Sequence, residues 1–212
     1  MQSFLFHRYL LTFLLLSGFS APGLCQTAGY SPAEGPLSRS IFDSTFEKAL
    51  YKGTFDISKH HLSGLFFMKR TSATSIRILF SNELGMNFFD VELKDDQFIV
   101  HSCFPSLNKP SLLKLLENDF RLLLLQEKNI TRMKLMKSKD PEQIIYGITS
   151  SRRSFRYTYN KASGRILRVQ TLHAFLGKTD LSVSGDGGLQ PRKIHISNPT
   201  IRLHIRMTFL SN

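Results

Sequence analysis

From Gly53 onward the apolar residues of this chain recur with a period of two for about fifty residues, and the breaks between these runs are only a few residues long. The alternation predicts strands over 51–58, 62–70, 74–81, 86–94 and 97–104, joined around Lys59-His60, Thr71-Ser72, Asn82-Glu83 and Asp95-Asp96. Connections that short hold no crossover helix, so sequential strands must pair antiparallel as a meander. Ile76, Ile78 and Phe80 give one fully apolar face with Arg77 on the other, whereas the adjacent pair Phe88-Phe89 predicts apolar groups on both faces. Further strands are expected over 133–137, 143–149, 154–159, 165–171, 176–184, 192–197 and 200–209. In the last, Ile201, Leu203, Ile205, Met207 and Phe209 oppose Arg202, His204, Arg206 and Thr208, so a one-residue slip would bury two arginines. The segments 160–164 and 185–188 carry turn glycines.

Two stretches have helical spacing instead. Ile41, Phe42, Thr45, Phe46, Ala49 and Leu50 fall on one helical stripe. A second helix is expected from Asn108, as cap, and Pro110, with Leu112, Leu113, Leu115, Leu116, Phe120, Leu123 and Leu124 on its apolar face. At about 1.5 Å per residue it would span roughly 22 to 25 Å, enough to lie across a sheet. About eleven or twelve strands in one sheet must curl or split. The expected fold is therefore mainly β with two helices: an incomplete antiparallel barrel with an apolar lining, covered by the helices.

Residues 1–24 contain no acidic side chain, one Arg8, and the apolar run 9–16, followed by Gly18, Ser20, Pro22 and Gly23. This is the pattern of a cleavable secretory signal, and the run is shorter than the ~20 residues of a membrane span. Cleavage near Gln26 is favoured, giving a signal peptide over 1–25, a flexible Gly-, Ser- and Pro-rich leader over 26–36 and one domain over 37–212. Cys25 offers a second processing route, as a lipid-bearing first residue, but Leu24 before it is larger than that route prefers. A soluble periplasmic protein and an outer-membrane-associated one are the two outcomes. Cleavage after Cys25 leaves Cys103 without a disulfide partner.

The net charge of +12 suits an anionic surface, and for an exported chain that points to lipid rather than nucleic acid. Lys52, Lys69, Arg70, Arg77, Arg152, Arg153, Arg156, Arg165 and Arg168 recur opposite apolar positions and predict a basic convex side or rim. Chemistry is harder to find. His60, His61, His101, His173, His195 and His204 form no helical metal-binding pair; His60-His61 reads as a turn. Alternation places His101 and Cys103 on one strand face, but no third group completes a nucleophilic site, and Ser184-Gly185-Asp186-Gly187-Gly188 lacks the order of a nucleophile elbow and reads as a hairpin loop. Asp90, Glu92, Asp95 and Asp96 read as strand-face and turn residues. No enzyme activity, cofactor or metal is expected.

The segments 65–70, 76–80 and 85–93, the block 104–124, and the ending 188–194 with 201–209 resemble bacterial outer-membrane lipoprotein carriers and receptors of the LolA/LolB-like superfamily, especially a branch found in Bacteroidetes. The likeness runs from about Leu50 to the end. It implies an open barrel of about eleven strands whose apolar cavity, under helices, receives acyl chains in transit. On that basis Phe66, Ile76, Ile78, Phe80, Phe88, Phe89, Leu112, Leu116 and Phe120 are the candidate cavity or lid residues. The expected partner is a lipid or lipidated protein, and the chain is expected to be a monomer. A non-catalytic envelope scaffold and an envelope enzyme acting on a lipid or glycan stay open as alternatives.

Overall fold

The computed structural model describes residues 41–43, 45–125, 130–150, 153–171, 178–187 and 190–211, with the side chains of 186 and 187 excepted. The expected signal, leader and lipidation site, together with Arg152 and His173, lie outside the described residues.

Among the described residues, twelve strands form one antiparallel sheet. They are β1 (Lys48–Ile57), β2 (His60–Ser72), β3 (Ser75–Ser81), β4 (Asn87–Lys94) and β5 (Gln97–Cys103), then β6 (Ile130–Met136), β7 (Gln143–Ser150), β8 (Ser154–Asn160), β9 (Ile166–Thr171), β10 (Asp180–Gly187), β11 (Gln190–Asn198) and β12 (Leu203–Ser211). Their order is β5-β4-β3-β2-β1-β12-β11-β10-β9-β8-β7-β6. The two meanders join where β1 pairs with β12, and β5 and β6, consecutive in the chain, stand at opposite edges. Between those edge strands lies α1 (Pro110–Leu123), with Pro110 opening its first turn, where a missing N–H costs nothing.

One relationship establishes the curl of the sheet. From α1, Arg121 donates to the carbonyl oxygens of Asp95 (3.3 Å) and Asp96 (2.6 Å) in the β4–β5 turn. One turn earlier, Asn118 Oδ1 accepts from Arg153, just ahead of β8, at 2.5 Å. In a flat sheet β4 and β8 would stand about 38 Å apart, eight spacings of ~4.8 Å. A single helix touches both, so the sheet wraps towards itself and α1 bridges its open side. Glycine helps the wrap: Gly53 and Gly64 are direct partners on β1 and β2, and the Phe66 ring lies over the space that a Gly53 side chain would fill.

Several local expectations change. The stripe from Ile41 to Leu50 is not helical in the described residues; it bends and enters β1 at Lys48, because Lys48 and Leu50 pair with Lys69 and Phe67 of β2. Ladder bonds and the burial of Phe42, Phe46 and Ala49 override the helical period, so α1 is the one helix among the described residues. The cap of α1 is Lys109, with no side-chain hydrogen bond, rather than Asn108. His60 and His61 begin β2, and the turn is Ser58-Lys59, two residues earlier, with Ser58 at φ 54°. The expected hairpin loop at Ser184 to Gly188 is largely strand, Asp186 pairing with Pro191 and Gly187 with Gln190. Ile201 lies in the turn before β12, where Arg202 adopts φ 53°.

Candidate functional site

The inner face of the sheet is built by alternation. β1 contributes Tyr51 and Phe55, β2 Phe66 and Met68, β3 Ile78 and Phe80, and β4 Phe89, Val91 and Leu93, all buried. β7 to β12 add Tyr146, Phe155, Tyr157, Val169, Leu181, Ile194 and Ile205 to the same core. A register shift in β4 between the partners of Phe80 and Ser81 alters the expectation for Phe88-Phe89. Instead of pointing to opposite faces, both rings pack on Phe80, at 5.0 and 5.5 Å between centroids.

All nine predicted cavity or lid residues are buried and belong to one apolar cluster. Phe66 stacks on Phe80 at 4.1 Å, and Phe89 reaches Phe120 of α1 at 5.9 Å. Ile76, Ile78, Leu112 and Leu116 belong to the same cluster. The hollow under α1 is thus occupied in this region by the protein's own aromatic side chains.

One residue of this layer breaks the apolar pattern. Asp119 is 1% exposed, and it lies on the same stripe of α1 as Leu112, Leu116 and Phe120. Its Oδ1 accepts from the Thr179 hydroxyl at 3.2 Å, while Oδ2 has no hydrogen-bond partner among the described residues. Desolvation raises its pKa to about 7, against the lowering influence of Thr179 and Arg153. Asn198, fully buried, donates to the Thr179 oxygen at 3.4 Å and ties this cluster to β11. Sequence reasoning missed Asp119; an acidic residue seven positions after Leu112 and three after Leu116 was the available signal.

The outer face is polar, and several of its charges are paired. Arg77 grips Asp90 through Nε and Nη2 at 2.8 and 2.6 Å, Arg206 holds Asp56 at 2.7 Å, and Lys52 reaches Glu83 at 3.1 Å. Glu92 accepts from Ser75, Thr71 and His101, and these hydrogen bonds, that of Ser75 first, bring its pKa down to about 2. A register shift between Asp90 and Val91 separates His101 from Cys103. His101 joins Glu92 outside while Cys103, the partner of Phe89, packs on the core, so the two do not share a face as alternation alone predicts. Burial pushes the Cys103 thiol up, away from the reactive thiolate. Among the described residues no three His, Cys, Asp or Glu side chains gather as metal ligands, and no helix is long and apolar enough to cross a membrane.

A cleft of about 680 Å³ opens on the outer face of β7 to β11, lined by Arg156, Arg168, Asp180 and His195 among others. A second, of about 480 Å³, lies at the rim between Glu47-Lys48 and Lys69 to Ser72.

No protein-family model matches the chain, and no curated protein matches it. Solved structures do. A LolA superfamily protein from Nitrosomonas europaea superposes with a TM-score of 0.52 at 10% identity, over 82% of this chain and 90% of that one. A domain assigned to outer-membrane lipoprotein sorting from Vibrio parahaemolyticus gives 0.50 at 10% identity, over 79% and 85%. A DUF1329 family protein from Desulfovibrio piger gives 0.50 at 12% identity, over 78% and 85%. At such identities the likeness concerns backbone architecture: the chain has the open, incompletely closed antiparallel sheet with a sparse helical component that characterises the LolA/LolB fold.

Proposed function

We propose that residues 37–212 act as one domain in the bacterial cell envelope, as a carrier or receptor that holds an acyl chain of a lipid or lipidated protein between α1 and the inner face of the sheet. The observation that carries this reading is the way α1 closes the sheet: an apolar stripe lies on aromatic side chains, and the polar tethers described are those of Arg121 and Asn118 at its flanks and of Asp119 within the stripe. Displacing the helix would exchange those hydrogen bonds for water at about 0.5–1.5 kcal/mol each. An acyl chain entering the gap would recover ~0.8 kcal/mol for each methylene removed from water. The rings of Phe66, Phe80, Phe89 and Phe120 would have to part to admit it.

Native mass spectrometry after mild purification, with uptake of a fluorescent fatty acid, tests the proposal. A bis-maleimide link between Arg121→Cys and Asp96→Cys, in a Cys103→Ser background, should abolish uptake that the unlinked protein retains. Absence of any acyl ligand together with absence of uptake overturns the reading. The dense packing of the nine aromatic and aliphatic residues supports the second reading, a non-catalytic envelope scaffold whose hollow is filled by its own core.

A further inference from the structure

The outer-face cleft is made by two cross-strand rows. Gly147, Arg156, Gln170, Asp180 and Ser197 form one, and Ile145, Thr158, Arg168, Ser182 and His195 the other, each residue paired in register with the next. Thr158 sits beside Arg156, and Ser182 and Ser197 beside Asp180, so small side chains alternate with the long Arg156, Arg168 and Gln170 that line the cleft. Gly147 adds no side chain beside Arg156; the space that its Cβ would take lies 3.1 Å from Met136 Sδ. A bulge between β8 and β9 inserts Leu167, which lines the cleft along with Arg168, and such an insertion bends a strand.

The charges within this cleft are unequally matched. Asp180 is satisfied by Arg168, whose Nε lies 2.8 Å from Oδ1, and by Gln170 at 3.1 Å from Oδ2. Arg156, half-buried, has no hydrogen-bond or ion-pair partner among the described residues. Burial, then Arg206 and His204, hold His195 below its ordinary value, which leaves it uncharged near neutral pH. The cleft therefore presents one unmatched guanidinium amid amides, hydroxyls and two aliphatic side chains.

From this arrangement we infer that the outer face of β7 to β11 is a binding site for an acidic sugar, its carboxylate or phosphate on Arg156 and its hydroxyls on Gln143, Gln170, Ser182 and Ser197. A guanidinium offers a planar fork to either oxyanion. Amide and hydroxyl side chains supply the mixed donors and acceptors that sugar hydroxyls need, and Ile145 and Leu167 give an apolar patch for the ring's C–H face. The volume falls within the roughly 300–1,000 Å³ of small-ligand sites. This site lies on the opposite face from the acyl proposal, and either can fail without the other.

Calorimetric titration of the purified protein with glucuronate, glucose 1-phosphate, glucose and inorganic phosphate tests the inference. At least one acidic sugar should bind about tenfold more tightly than both glucose and phosphate, a gap of roughly 1.4 kcal/mol. Arg156→Gln should lose about that factor, while Arg132→Gln, an exposed change on β6, should bind as the parent does, with circular dichroism confirming that both variants fold. No binding of either acidic sugar overturns the site. Phosphate binding as tightly as glucose 1-phosphate, or equal losses in the two variants, overturns the sugar assignment.

Discussion

Asp119 of α1 and Thr179, ahead of β10, are joined by a 3.2 Å hydrogen bond that lies inside the protein, 60 residues apart in the chain. It fixes the apolar face of the helix to the far half of the sheet, opposite the contact of Arg121 with the β4–β5 turn. Burial leaves the charged form of this acid poorly solvated, an effect the bond itself only partly offsets.

Stability should consequently fall as pH rises from about 4 to about 7. With a folded pKa of about 7, above the unfolded carboxylate value of ~3.9, the folded state binds the proton more tightly between those limits. The stabilisation is full below pH 4 and lost above pH 7. Asp119→Asn should remove this dependence and make the protein more stable than the parent at pH 8, by on the order of 1 kcal/mol or more. Urea unfolding of both proteins at pH 5 and pH 8 checks this, and parallel pH profiles would contradict it.

Glu92 should act in the reverse direction. Its pKa of about 2 means that its stabilisation is present above pH 4.5 and disappears on acidification towards pH 2. Glu92→Gln keeps the shape but weakens the hydrogen bonds from Ser75, Thr71 and His101. A loss of about 1–2 kcal/mol at pH 7, shrinking as the pH is lowered, is expected from chemical denaturation.

Truncation of the stacked pair should be costly. Phe66 and Phe80 are both fully buried with centroids 4.1 Å apart. Phe66→Ala removes a ring from the layer and uncovers Gly53, and the expected loss is about 3–5 kcal/mol. If the region opens readily to a guest, added fatty acid should restore part of that loss in a thermal unfolding scan.

Glycine substitutions separate close approach from backbone strain. A Cβ at Gly64 would stand 2.0 Å from the Ser81 carbonyl oxygen, so Gly64→Ala must push β2 from β3, at a cost on the order of 3 kcal/mol or more. At Gly85 nothing lies within 4 Å, but φ is +85°, and Gly85→Ala should cost only about 1–2 kcal/mol. Melting temperatures of the two variants measure the difference.

Sequence alone determined the strands, their antiparallel meanders and α1, because alternation and short turns are local signals that a single stretch of chain carries. The nine residues from Phe66 to Phe120 that it marked for a cavity or lid are buried with the rest of the core, as apolar alternation predicts for any core position. It misread 41–50, where helical spacing yields to ladder bonds from β2 and β12, partners invisible from within the segment. The register shifts that bring Phe88 and Phe89 onto one ring and part His101 from Cys103 were likewise hidden, since each depends on the strand alongside. Tertiary structure also decided the pairing of β1 with β12, the burial of Asp119 beside Thr179, and the outer cleft around Arg156. Each of these is a meeting of residues distant in the chain, set by how far the sheet curls, and curl is a property of twelve strands together.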